Sequence, residues 1–175
     1  NLSARDTDGE FQINYNTNSF VGRLKAFKVI KKFPYSLINM NAEFSPIDGV
    51  AKAILLLAKA PKECCVFHPF NNHGIFMGDI IATMQDRGMK IDFAEQNNFE
   101  NAVKIAQENK ENSAILSSLI AYQNMGHGKL ILPIKKSNEL TIQALFRMGF
   151  KWSIPSTSYM NRFFNALEGL GFFED

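Results

Sequence analysis

The sequence has little cysteine, no long apolar run and almost no net charge, and each shortage excludes something. Its only two cysteines, Cys64 and Cys65, are adjacent within "CCVFHPF". Successive strand side chains point to opposite faces, so a disulfide between them would be strained, and a reducing, cytosolic setting is expected. The longest apolar run, "AILLLA" at 53–58, is far shorter than a membrane span, and the polar opening "NLSARDTDGE" has no signal-peptide character. Lys and Arg number 19 against 17 Asp and Glu, a net charge of +2. With no basic run interleaved with aromatics, this argues against nucleic acid as a partner.

What is present is enough apolar material for a core: 175 residues, 46% of them hydrophobic. That length falls in the one-domain range, so residues 1–175 are expected to form a single domain. The chain opens on Asn1 without an initiator methionine, and its first ten residues read as loop, so a fragment of something longer is expected.

Turn, cap and period signals order the elements. "EFQINYN" alternates Phe11, Ile13 and Tyr15 with polar residues and predicts a half-buried strand. Asn18 or Ser19 caps a helix with apolar positions Phe20, Leu24 and Phe27 that ends before Pro34. "EFSPID" reads as a brief strand closing on Asp48, the expected N-cap of "GVAKAILLLAKA". "CCVFHPF" reads as a buried strand and "MGDIIATMQDRG" as a helix with Gly88 just past its end. "KIDFAE" adds a strand, followed by a helical region broken near Asn112–Ser113 and by helices at about 140–148 and 156–167, the last before Gly169. The class is α/β or α+β with a mainly helical C-terminal part.

The stretch "FHPFNNHGIFMGD", 67–79, raises the question of chemistry. A metal site needs three or four converging ligands, and His68, His73 and His127 lack both helical spacing and a Cys-x-x-Cys partner. A Cys-His nucleophilic pair is opposed by desolvation, which raises a thiol pKa in an apolar strand. Two readings stay open. His68 is a partly buried strand residue and His73 a turn residue, or Asn71 and Asn72 follow a strand's carboxyl end, where ligands bind in open α/β sheets.

Several stretches together resemble the terminal thioester reductase domains of nonribosomal peptide synthetases, which are extended short-chain dehydrogenase/reductases. They are "DGEFQINYNTNSFVGRLKAF" (8–27), "EFSPIDGVAKAI" (43–54), "FHPFNNHGIFMGDII" (67–81) and, more loosely, the tail 140–173. The resemblance implies a Rossmann half binding NADPH, a smaller C-terminal lobe covering the substrate, and hydride delivery to a thioester on a carrier protein's phosphopantetheine arm. That chemistry requires a glycine-rich phosphate turn and a Tyr-x-x-x-Lys pair. Neither is present: four positions beyond Tyr15, Tyr35, Tyr122 and Tyr159 stand Ser19, Asn39, Gly126 and Phe163. The chain is therefore expected to be the C-terminal, substrate-binding lobe without the N-terminal Rossmann cofactor half. It would begin just after the family's catalytic helix, end at the synthetase's carboxyl terminus, and neither bind NADPH firmly nor turn over alone.

On the same resemblance, Asn1 lies near the nicotinamide end of the cofactor. Asn14, Asn16, Asn18 and Phe20 line the acyl and pantetheine channel, Ser45 and Pro46 form the pocket rim, and Asn71 and Asn72 border the cleft. Asparagine amides pair with pantetheine amides in both directions, while capping, turn and core roles are the structural alternatives. Arg23, Lys25, Lys28, Lys31 and Lys32 form either a solvated face or a docking surface for an acidic carrier protein or the pantetheine phosphate. Competing functions are the lobe of a carboxylic acid or fatty acyl reductase and a non-catalytic carrier-protein binding module.

Overall fold

The computed structural model describes residues 2–61, 63, 66–117, 119, 137–172 and 174. In chain order it contains β1 (Leu2–Ser3), α1 (Ser19–Ile30), β2 (Lys32–Pro34), β3 (Asn41–Glu43), β4 (Ser45–Pro46), α2 (Ile47–Leu57), β5 (Gly74–Phe76), α3 (Met77–Asp86), β6 (Asp92–Ala94), α4 (Gln96–Glu108), α5 (Glu139–Arg147) and α6 (Thr157–Gly169). Short 3-10 turns occur at Tyr15–Thr17, Tyr35–Leu37 and Lys110–Asn112, and residues 113–117 are again helical. Among the described residues the strands pair in twos, β1 with β4, β2 with β6 and β3 with β5. This is the expected mixed α/β class with a helical C-terminal part.

The chain divides into two compact units. One comprises Asn1–Phe11, Ala42–Ile75 and Lys135–Gly169. Here β1 and β4 run parallel, with Leu2 opposite Ser45 and Ser3 opposite Pro46. Val50, Ala53 and Leu57 recur on one face of α2 and bury against Leu145, Phe150 and Trp152. A second aromatic group packs Phe163 edge-to-face against Phe11 and Phe44, both at 5.7 Å. The buried Tyr159 ring meets Phe44, and its hydroxyl donates to the Ala4 carbonyl at 3.1 Å.

The other unit comprises Gln12–Asn41, Phe76–Ile134 and Leu170–Asp175. Its β2 and β6 are parallel in the register Lys32–Asp92, Phe33–Phe93, Pro34–Ala94. α1 buries Val21, Leu24, Phe27 and Ile30, and Phe27 contacts Phe33 at 4.9 Å and Phe99 at 6.2 Å. The first free N–H groups of α3, on Met77 and Gly78, donate to the carbonyls of Met40 and Ile38 at 2.9 and 3.0 Å, so this helix start needs no side-chain cap.

Four local expectations are corrected. "EFQINYN" is not a strand: Phe11 and Tyr15 are buried while Ile13 is 89% exposed. The Asn14 carbonyl accepts both the Thr17 N–H (3.0 Å) and its hydroxyl (2.9 Å), so a side-chain-closed turn prevails over extended pairing. "CCVFHPF" is not a buried strand over its described part. Val66 is 71% exposed, His68 is exposed, and Pro69 removes a ladder donor. The strand of this region comes later, at Gly74–Phe76, and Cys64 and Cys65 lie outside the described residues. Asp48 is not an N-cap; Pro46 holds that position and Asp48 sits in the first turn of α2. Gly169 is the last residue of α6, and the left-handed turn falls at Gly171 (φ +77).

Candidate functional site

Asn18 is the N-cap of α1: its Oδ1 accepts from the Phe20 and Val21 N–H groups at 3.0 and 3.2 Å. This cap fixes the chain entering α1, and beside it lies a cavity of about 380 Å³. From α1 and its lead-in come Thr17, Asn18, Ser19, Val21, Gly22 and Lys25. The facing wall carries Ala114, Ile115, Ser117 and Phe172. Val21 and Phe172 are almost wholly buried, so the interior is apolar, while Thr17 and Ser19 are exposed and offer hydroxyls. Lys25 is half-buried and makes no ion pair among the described residues. An apolar wall with few polar groups suits an acyl or side-chain ligand.

The expected site residues fall into different roles. Asn18 lines this cavity, but its amide oxygen is committed to capping. Asn14 is exposed just ahead of it, with Nδ2 3.4 Å from the Thr17 hydroxyl. Asn16 sits in the Tyr15–Thr17 turn, and its side chain lies outside what is described. Phe20 is half-buried under the Arg23 guanidinium, 5.7 Å from the ring centroid. Asn1 lies outside the described residues. Of the basic group, Lys32 approaches Asp92 at 3.9 Å and Lys31 takes the left-handed C-cap position of α1 (φ 58).

In the other unit, Asn71 is 2% exposed and fully engaged. Its N–H donates to Ser45 Oγ (3.0 Å), its Nδ2 to the Ser153 carbonyl (2.9 Å), and its Oδ1 accepts from the His73 N–H (3.0 Å). Ser45 is equally buried and donates to Glu43. The His68 N–H donates to Thr141 Oγ1 and Asn138 Nδ2 to the Phe70 carbonyl. The loop 67–73 is thus strapped down by buried polar groups, His73 is a turn residue, and the described residues 66–70 leading into Asn71 are not a strand. Asn72 alone of the pair is exposed.

Pro46 lines a second cavity of about 290 Å³ with Asp48, Gly49, Lys52, Phe150 and Trp152, joined by Asp6, Thr7, Lys151 and Ser153. Sequence reasoning passed over these aromatics and lysines; the alternating "FKW" at 150–152 was the available signal. Among the described residues no group of three metal-ligating side chains converges, and no helix is long and apolar enough to cross a membrane. His127 lies outside the described residues.

Among the described residues, the glycines at the starts of α2 and α3 do not fit the pyrophosphate of NADPH. A pyrophosphate cradle needs an open glycine turn between strand and helix. Gly49 and Gly78, in the first turns of α2 and α3, are covered instead: a Cβ added to them would meet Trp152 at 3.3 Å and Ile38 at 2.9 Å.

No protein-family model and no curated protein matches the chain. Solved structures do. A thiolation-reductase di-domain from an archaeal non-ribosomal peptide synthetase matches at TM-score 0.81 and 29% identity, over 99% of this chain and 35% of that one. The aureusimine biosynthetic cluster reductase domain matches at 0.78 and 15%, over 99% and 44%. The terminal R domain of the myxalamid PKS-NRPS pathway matches at 0.75 and 17%, over 99% and 43%. The chain therefore spans less than half the length of these structures, and its fold is shared with a part of these reductase domains.

Proposed function

We propose that the chain is the substrate-binding part of an NADPH-dependent thioester reductase that releases a carrier-protein-bound peptidyl or acyl thioester as an aldehyde or alcohol. The observation that carries this reading is the cavity along α1. Of the stretch that resembles the family's channel, Asn14 to Phe20, the residues Thr17, Asn18 and Ser19 border this hollow, joined by Val21, Gly22 and Lys25 of α1, in a chain that shares its fold with part of a reductase domain. In this reading the acyl group lies against Val21, Ile115 and Phe172, and Asn14 and the hydroxyls of Thr17 and Ser19 meet the amides of the pantetheine arm. Asn72 borders the cleft from its exposed loop position. Asn71, Ser45 and Asn18 act by holding local backbone rather than by touching substrate. In this reading NADPH belongs to the Rossmann portion, and this chain's residues bind and orient the thioester while shielding it from water.

The test is NADPH oxidation by the full reductase region supplied with a carrier-loaded thioester. Gly22→Leu, which fills the cavity from α1, is expected to raise KM for the thioester about tenfold or more while leaving NADPH affinity unchanged. Unchanged thioester kinetics in this variant would contradict the site. A region that binds the loaded carrier but oxidises no NADPH would favour the non-catalytic module.

A further inference from the structure

We propose that the cavity at the start of α2 is a second binding site, for a planar aromatic group that carries a phosphate. The proposal rests on this cavity alone and holds whether or not the chain serves a reductase. Its floor is rigid and aromatic: Phe150 and Trp152 are 7% and 8% exposed and pack edge-to-face at 5.1 Å. The absence of a side chain at Gly49 lets the indole close against α2, since a Cβ there would come within 3.3 Å of its ring. The ring surface that Phe150 and Trp152 leave uncovered gives the cavity an apolar floor against which a flat ring can lie.

The charges decide the sign of the ligand. Asp48, the acid nearest α2, is already engaged: its oxygens accept from the Asp6 N–H at 3.1 and 3.2 Å, and Oδ1 from the Gly49 N–H at 2.9 Å. Asp6 Oδ1 accepts from Arg162 at 3.2 Å. The two lysines have no such partner among the described residues. Lys52 Nζ lies 6.0 Å from the Phe150 ring centroid and Lys151 Nζ lies 5.0 Å from that of Phe146, each against an aromatic face instead of a carboxylate. Acids satisfied by backbone and arginine, beside ammoniums that meet only rings, leave the mouth open to an anion. Two ammoniums match the several oxygens of a phosphate better than a single neutral hydroxyl. The Trp152 indole N–H is buried without an acceptor among the described residues. A volume of about 290 Å³ sits at the small end of ligand cavities, which favours one ring with one phosphate over a dinucleotide.

Trp152 is the chain's only tryptophan, so its fluorescence reports this site directly. The 175-residue chain is titrated with phenyl phosphate, and with sodium phosphate and benzyl alcohol as the two half-ligands. A saturable change is expected with phenyl phosphate, each half-ligand binding at least about tenfold more weakly. Lys52→Met and Lys151→Met are each expected to weaken binding about fivefold with melting temperature unchanged. No saturable change would overturn the proposal. So would equal binding of either half-ligand, or unaltered affinity in the doubly substituted Lys52→Met, Lys151→Met chain.

Discussion

The side-chain amide of Asn71 donates to the carbonyl of Ser153 at 2.9 Å, and this bond ties the loop 67–73 to the segment carrying Trp152. The same side chain accepts from His73, so both ends of the amide are used inside a residue 2% exposed. Asn71→Ala leaves a buried carbonyl and N–H without partners, at a cost of about 2–3 kcal/mol. Chemical denaturation should show that loss, with Asn72→Ala, on the exposed neighbour, within about 0.5 kcal/mol of the parent. Equal effects at the two positions would contradict the assignment.

Gly9 and Gly88 separate two kinds of glycine requirement. Both have positive φ, +78 and +85, but a Cβ on Gly9 would lie 2.4 Å from the Arg162 carbonyl oxygen whereas one on Gly88 meets open space. Gly88→Ala should cost about 1 kcal/mol, the ordinary left-handed penalty. Gly9→Ala should cost clearly more, because backbone must move as well. Urea unfolding midpoints compare them, and a smaller loss at Gly9 would contradict the packing described.

The Arg5 guanidinium holds the Asp8 carboxyl below the usual carboxylate range, first through its side-chain hydrogen bond (2.6 Å to Oδ2), with the Glu10 N–H adding to it. A carboxyl depressed in the folded state contributes stability above its unfolded pKa, about 3.9, and loses it as pH falls through the lower folded value. Arg5→Met should therefore move the Asp8 titration upward, read by carboxyl-carbon NMR, remove the pair's contribution at neutral pH and flatten the loss of stability on acidification. An unmoved Asp8 titration would show that the pair does not persist in solution.

Helix positions were legible where caps and periods agree. Asn18 before α1, Gly88 after α3 and Gly149 after α5 stand where short polar caps and left-handed turns require. The strands were not. Elements two or three residues long carry no period, and the alternation of Phe11, Ile13 and Tyr15 is produced by a turn that buries the first and last and exposes the middle one. Asn71 looked like a ligand-facing amide because its partners, Ser45 and Ser153, are remote in sequence and nothing local announces them. The cavity beside α1 was half visible: Thr17 to Lys25 form one contiguous segment, while Ile115 and Phe172 reach it only through the tertiary fold.

The most direct test of the central claim is photo-crosslinking of an S-acyl pantetheine thioester, with a diazirine in its acyl tail, to the full reductase region, followed by peptide mapping. The account predicts label on the peptides holding Val21, Ile115 or Phe172, removed by excess unlabelled thioester. Label confined to other peptides, or label on these that a competitor does not displace, would contradict it.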